Sequence, residues 1–74
     1  TEYTDTIASG IFYGSFMAIC QADGFGFLSN NERLDMINML TGFNKELYED
    51  KTMYYEDKER VMSNIRDTYP NCLP

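Results

Sequence analysis

Two cysteines are the residues of this sequence whose chemistry is easiest to define. Cys20 and Cys72 lie 52 positions apart, in a chain that contains no histidine. Such a pair can act as a redox couple, contribute to a metal site or form a structural disulfide. Zinc normally takes four ligands in closely spaced pairs, and the sequence has no such set. We favour a disulfide, because Cys20 is expected at the end of the first helix and Cys72 just after the last, so an antiparallel arrangement of those helices would bring them together.

The stretch 21–32 has the spacing of a calcium-binding EF-hand loop. It places Asp23, Gly26 and Glu32 at the third, sixth and twelfth positions. However, Gln21 stands at the first position, where an aspartate is expected, and Phe25 at the fifth has no oxygen to offer. Calcium needs about six to eight oxygen ligands, so we favour a glycine turn before a capped helix and predict no bound metal. A degenerate EF-hand is the alternative.

Residues suited to catalysis are few. With histidine absent and both cysteines assigned to a disulfide, the remaining acid and base candidates are carboxylates such as those of Asp23 and Glu32. The sequence contains no nucleophile with an adjacent base and no glycine loop typical of phosphate binding. We therefore predict that the protein is not an enzyme, that it has no catalytic residues and that it needs no cofactor.

Acidic and aromatic residues are the more informative groups. The 74 residues include 12 Asp and Glu, 6 Lys and Arg, 6 tyrosines and 5 phenylalanines, and the net charge is -6. This charge disfavours nucleic acid and favours a protein partner with a basic surface. We predict that the partner contacts six residues, namely Tyr48, Glu49, Asp50, Tyr54, Tyr55 and Glu56. In the alternative interpretation, the tyrosines are half-buried between helices and the acids only keep the protein in solution.

The first third of the chain contains an uncharged run over residues 6–22. A membrane span needs about 20 mostly apolar residues, and this run is shorter and contains several polar side chains, so we expect a buried helix of a bundle. Gly10, Gly14 and Ala18 form a row of small residues along one side of that helix. We expect this row to pack closely against the C-terminal helix of the same chain. A docking groove for a partner helix is the alternative.

Helical periodicity extends over most of the remaining chain. Ser29 and Glu32 form a capping box that predicts the start of a second helix, which should run to about Thr41 with Gly42 at its C-terminal end. Asn44 is expected to cap a third helix.

The segment after Asn44 is predicted to contain a short helix over 45–50 and a long helix over 53–68 that ends before Pro70. Neither linkers nor repeats interrupt the pattern. We therefore predict one all-α domain over residues 1–74, a small bundle of three to four helices.

The arrangement resembles the small HdeA-like helical domains, a group that includes HdeA-type chaperones, Tai-type immunity proteins and uncharacterised secreted proteins of cyanobacteria. The resemblance is carried by Gly10, Tyr13, Gly14, Cys20, Gly26, Ser29 and the ending Tyr69, Pro70, Asn71, Cys72, Leu73, Pro74. It implies a precursor with a signal peptide, a helical bundle, and one disulfide that joins the first helix to the C-terminal tail.

Together, these features predict a non-catalytic interaction module, such as an accessory subunit or an inhibitor-like binder. We expect a periplasmic or secreted location after removal of the signal peptide, and the thylakoid lumen also fits. An acid-stress chaperone is the leading alternative, in which protonation of carboxylates would loosen the packing and expose apolar surface.

Overall fold

The computed structural model describes residues 2–74, and three α-helices make up most of this range. Helix α1 comprises Glu2–Gly24, α2 comprises Asn30–Leu47 and α3 comprises Lys51–Thr68. No strand occurs within the described part of the chain. The prediction of a small all-α bundle with a disulfide from the first helix to the C-terminal tail is confirmed.

The turn between α1 and α2 is built as the sequence predicts. Gly26 has a φ of 79°, in the left-handed region that favours glycine. The Gly26 and Phe27 N–H groups donate to the carbonyls of Asp23 (2.9 Å) and Ala22 (3.0 Å), which closes α1 in a Schellman motif. Ser29 then forms the expected capping box with Glu32, in which each side chain bonds the backbone N–H of the other residue.

Helix α2 continues past the glycine that was expected to end it. The prediction of a helix end at Gly42 is wrong, because the helix continues to Leu47 and buries the side chain of Asn44. Asn44 is fully buried and donates from Nδ2 to the carbonyl of Leu40 (2.8 Å) and to the hydroxyl of Ser15 (3.3 Å). It therefore joins α2 to α1 instead of capping a new helix.

The predicted short helix over 45–50 is also wrong, because its first residues belong to α2 and the rest connect α2 to α3. Asp50 begins α3 as its N-cap, and its Oδ1 accepts hydrogen bonds from the N–H groups of Thr52 (2.9 Å) and Met53 (3.3 Å). Helix α3 then runs as one piece to Thr68, close to the predicted 53–68.

Helix α1 packs against both of the other helices. Asn44 of α2 bonds Ser15 of α1. The N–H of Glu49, which follows Asn44 in the chain, bonds Asp5, which precedes Ser15 (2.8 Å), so α1 and α2 are antiparallel. Arg60 of α3 bonds Ser9 of α1, and the Cα atoms of Cys20 and Cys72 lie 5.7 Å apart. Helices α1 and α3 therefore run in the same direction. The cysteine pairing is confirmed, but the antiparallel arrangement offered for it is wrong.

The core consists mainly of aromatic and branched side chains from all three helices. The Phe12 ring packs against Phe16, Tyr48 and Tyr54, with ring centroids 5.2, 6.4 and 5.7 Å apart. Val61, Ile65 and the disulfide extend this core toward the C-terminal tail.

The row of small residues on α1 lies outside this core. Gly10, Gly14 and Ala18 are exposed, and a Cβ atom added at either glycine would meet no other atom within 4 Å. The expected close packing of this row against the C-terminal helix is therefore wrong. The opposite side of α1 is the buried one.

Candidate interaction surface

The junction of α2 and α3 brings together most of the residues predicted to contact a partner. We call the exposed side chains of Glu46, Glu49, Asp50, Tyr55 and Glu56 the acidic corner. They belong to the last turn of α2, the connection, and the first two turns of α3. The corner therefore carries four carboxylates within eleven positions of the chain.

Hydrogen bonds fix the backbone of this corner. The buried Asp5 carboxylate accepts the Glu49 N–H (2.8 Å), which ties the connection to the beginning of α1. Lys51 Nζ donates hydrogen bonds to the carbonyls of Lys45 (2.6 Å) and Tyr48 (2.7 Å) at the end of α2. The last carbonyl groups of a helix have no N–H of a following turn to accept from, so a side-chain donor can take that place. The corner is thus held from both sides, and its carboxylates project from a fixed backbone.

Two of the three predicted contact tyrosines lie in the core. Tyr48 and Tyr54 are each only 2% exposed. The Tyr48 hydroxyl donates to Asp57 Oδ2 (2.8 Å), and its burial together with this hydrogen bond strongly raises the pKa of its phenol. Burial also raises the pKa of Tyr54. Neither ring is accessible in the folded protein, so Tyr55 is the one of these three tyrosines that belongs to the acidic corner.

Tyr55 is 52% exposed and has a cationic neighbour. Lys45 Nζ lies 5.4 Å from the centroid of the Tyr55 ring. Its hydrogen bond to the phenol lowers the pKa of Tyr55, with smaller contributions from the charges of Lys45, Lys58 and Lys51. The same hydrogen bond raises the pKa of Lys45. The ring is thus held by its neighbour while one side stays open to solvent.

A buried ionic group behind the corner was not predicted from the sequence. Asp57 is only 7% exposed and accepts hydrogen bonds from the Tyr48 hydroxyl and from Arg60 (2.6 Å), which also donates to Ser9 (3.1 Å). The spacing of Arg60 from Glu56 suggests an ion pair four residues apart, but Arg60 turns to Asp57 instead. The helical spacing of Asp57 between Tyr54 and Val61, both buried, is the signal that could have identified it.

The acidic residues of the EF-hand-like stretch 21–32 form contacts within the protein. Residues 21–24 belong to α1, so the segment is not an open twelve-residue loop. The Asp23 carboxylate pairs with Arg33 (3.3 Å), and Glu32 is used in the capping box, where the hydrogen bonds from Ser29 lower its pKa. Within residues 2–74, no three ligating side chains converge on one point.

Comparison with known proteins gives no match to any protein family, curated protein or solved structure. The relationship to HdeA-like domains therefore stays a prediction. None of the helices within residues 2–74 combines the length and the hydropathy needed to cross a bilayer.

Proposed function

We propose that this protein is a non-catalytic interaction module that binds a basic protein partner through the acidic corner. The observation that carries the proposal is the fixed backbone of the corner, which exposes the side chains of Glu46, Tyr55 and Glu56. A surface that is already ordered loses less conformational entropy when a partner binds. The carboxylates would attract the partner, and Tyr55 would supply rigid contact area with a hydroxyl.

The location that fits this module is outside the cytoplasm. Disulfides form and persist in oxidising compartments, and the Cys20–Cys72 bond is integral to the fold. We therefore propose a periplasmic or secreted accessory subunit or inhibitor.

Binding experiments with matched charge variants test the acidic corner. A partner captured from the extracytoplasmic fraction of the source organism would be measured by surface plasmon resonance against the wild type, Glu46→Gln/Glu56→Gln and Asp35→Asn/Asp67→Asn. The last variant removes the same charge from exposed positions away from the corner. We expect the corner variant to lower the association rate about tenfold and the control to change it little, because nearby charges steer encounter.

Salt gives a second measurement on the same complex. Raising the ionic strength shortens the Debye length to about 3 Å at 1 M, so association of the wild type should slow. An association rate that does not respond to salt, or that falls equally in both double variants, would remove the acidic corner from the binding site.

A second candidate function, the acid-stress chaperone, is favoured by the two buried carboxylates of Asp5 and Asp57. Both accept hydrogen bonds that hold the corner and α3 to the rest of the fold. The chaperone proposal requires that the protein at about pH 3 exposes apolar surface and suppresses aggregation of a client protein. Asp57→Asn is the matched variant, because it should bind the dye ANS at a higher pH than the wild type does.

A further inference from the structure

A second exposed surface, distinct from the acidic corner, runs along one side of α1 and α2. It consists of large apolar side chains that the fold leaves in water, and we call it the α1–α2 face. Its members are Tyr3 (77% exposed), Ile7 (49%), Ile11 (41%), Met39 (65%) and Phe43 (53%). Exposed apolar residues that occur singly need no explanation, but a continuous group of them marks an interaction site.

Packing of the two helices shows that these residues share one side of the molecule. Leu47 of α2 lines a groove together with Tyr3, Ile7 and Ile11 of α1. Phe43 lies one turn before Leu47 on the same side of α2, and the Asn44–Ser15 hydrogen bond sets the register of the antiparallel pair. Phe43 and Met39 therefore extend the apolar surface that begins at Tyr3.

The distribution of charge separates this face from the rest of the protein. Residues 6–22 of α1 and 36–44 of α2 contain no Asp, Glu, Lys or Arg, although the chain has 18 charged residues. Helix α3 alone carries eight of them. Four of the five members of the face lie in these uncharged stretches, with Tyr3 as the exception, so this part of the face offers no charge to attract a basic or an acidic partner. Two copies of this acidic chain, in contrast, can meet here without placing like charges against each other.

The size of the face fits weak pairing of identical chains. With about 150 to 250 Å² for a fully buried aromatic side chain, the exposed parts of the five residues amount to on the order of 500 Å². A standard interface buries about 800 Å² on each partner, so the face falls at the low end, where association is weak or transient.

We infer that two copies of the protein associate through the α1–α2 face with two-fold symmetry. The exposed Gly10 and Gly14 lie beside Ile7 and Ile11 on α1, and the open space around them lets the α1 helices of the two copies approach closely. A two-fold arrangement places the same apolar residues on both sides of the contact. This inference does not depend on the acidic corner, which lies on different residues.

Sedimentation equilibrium of the full chain tests the association. We expect the weight-average mass to rise from 8.6 kDa toward twice that value as the concentration increases from roughly 10 µM to 1 mM, because interfaces at the low end of the size range are typically weak or transient. Salt should strengthen the dimer by at least about threefold between 50 and 500 mM NaCl, because it screens the repulsion between two chains of charge -6. Binding through the acidic corner has the opposite salt dependence.

Three glutamate variants locate the contact. Gly14→Glu and Phe43→Glu place a charge within or beside the face and should weaken the dimer at least tenfold. Ser63→Glu is the matched control, because Ser63 is exposed on the side of α3 opposite its buried residues, and it should dimerise nearly as the wild type does. Circular dichroism at low concentration checks that each variant is folded.

Several results would overturn the inference. A constant mass of 8.6 kDa up to 1 mM in high salt would exclude self-association through this face. A dimer that survives in both Gly14→Glu and Phe43→Glu would have to use another surface. Binding of the monomer to neutral lipid vesicles, lost in Phe43→Glu, would assign the face to a membrane surface instead.

Discussion

At the scale of single residues, the buried tyrosines connect stability to pH. Burial raises the pKa values of Tyr48 and Tyr54 above the value of about 10 for a tyrosine in an unfolded chain. Groups with a raised folded-state pKa stabilise the fold fully below the unfolded value, and that stability is lost as the pH rises through the folded value. We therefore expect the free energy of unfolding to fall above pH 10, by up to roughly 1.4 kcal/mol per pH unit for each tyrosine.

Urea denaturation at pH 8, 10 and 11 measures this effect, and Tyr54→Phe is the informative variant. It removes one ionisable hydroxyl while keeping the ring against Phe12, so its stability should decline less steeply above pH 10 than that of the wild type. Tyr55→Phe is the control, because Tyr55 is exposed and its pKa is lowered, so removing its hydroxyl should not reduce the loss of stability above pH 10. Equal slopes in the wild type and Tyr54→Phe would mean that Tyr54 does not contribute to alkaline unfolding.

Residues whose role is local were predictable from the sequence. Apart from Cys20 and Cys72, which can pair only with each other, residues with distant partners were not. The capping box of Ser29 and Glu32 depends on neighbours three positions apart, and the structure has it as expected. Asn44 has its deciding partner Ser15 in another helix, 29 positions away, so local patterns pointed to a helix cap instead. The acidic corner was only partly predictable, because Tyr48 and Tyr54 are drawn into the core by contacts with α1.

At the scale of the helices, glycine residues within helices are the positions where a substitution is expected to raise the stability of the fold. Gly14 of α1 and Gly42 of α2 each lie in a regular helix with open space around them. Alanine is preferred over glycine in a helix by about 1 kcal/mol. We expect Gly14→Ala and Gly42→Ala each to raise the free energy of unfolding by roughly 0.5 to 1 kcal/mol, measured with urea at a concentration where the chain is monomeric.

Gly26 provides the matched contrast within the same helical hairpin. Space is open there as well, but its φ of 79° is one that alanine rarely adopts. Gly26→Ala should therefore lower the free energy of unfolding while the two helical substitutions raise it. Loss of stability in Gly14→Ala would instead indicate that Gly14 is packed, as the sequence alone suggested.

The extent of α2 shows why helix ends were harder to predict than helices. A glycine at position 42 is a common end signal, but the cost of one glycine within a helix is only about 1 kcal/mol. Burial of the Tyr48 ring beyond it outweighs that cost, since burying one large apolar side chain is worth about 1.5 to 3 kcal/mol. Tertiary packing thus extends the helix past its local stop signal.

At the scale of the whole molecule, the chain separates charge from apolar surface. The acidic corner and α3 carry much of the charge, whereas the α1–α2 face carries none in residues 6–22 and 36–44. The sequence identified the uncharged run on α1 but predicted that the whole run is buried. It could not show that α2 and α3 pack on one side of α1 and leave the side with Ile7 and Ile11 exposed. One protein can therefore use two surfaces with opposite responses to salt.

The disulfide joins α1 to the C-terminal tail across most of the length of the chain, and its removal should cost a large part of the stability. In the chain-entropy model, a crosslink between positions 52 apart restricts the unfolded chain by about 4 kcal/mol. Folded domains are stable by only about 5 to 15 kcal/mol, and a chain of 74 residues belongs at the lower end. We expect Cys20→Ser/Cys72→Ser to lower the free energy of unfolding by about 3 to 5 kcal/mol.

Comparison with the reduced wild type separates the crosslink from the substitutions themselves. Both cysteines are buried, so replacing them with serine removes apolar contacts as well as the bond. Urea denaturation of the wild type with and without dithiothreitol measures the bond alone, and the double variant should show no response to the reductant. Because the crosslink acts on the unfolded chain, the m-value of the reduced protein should exceed that of the oxidised protein. Equal stability of the oxidised and reduced wild type would show that packing of α1 against α2 and α3 holds the fold without the bond.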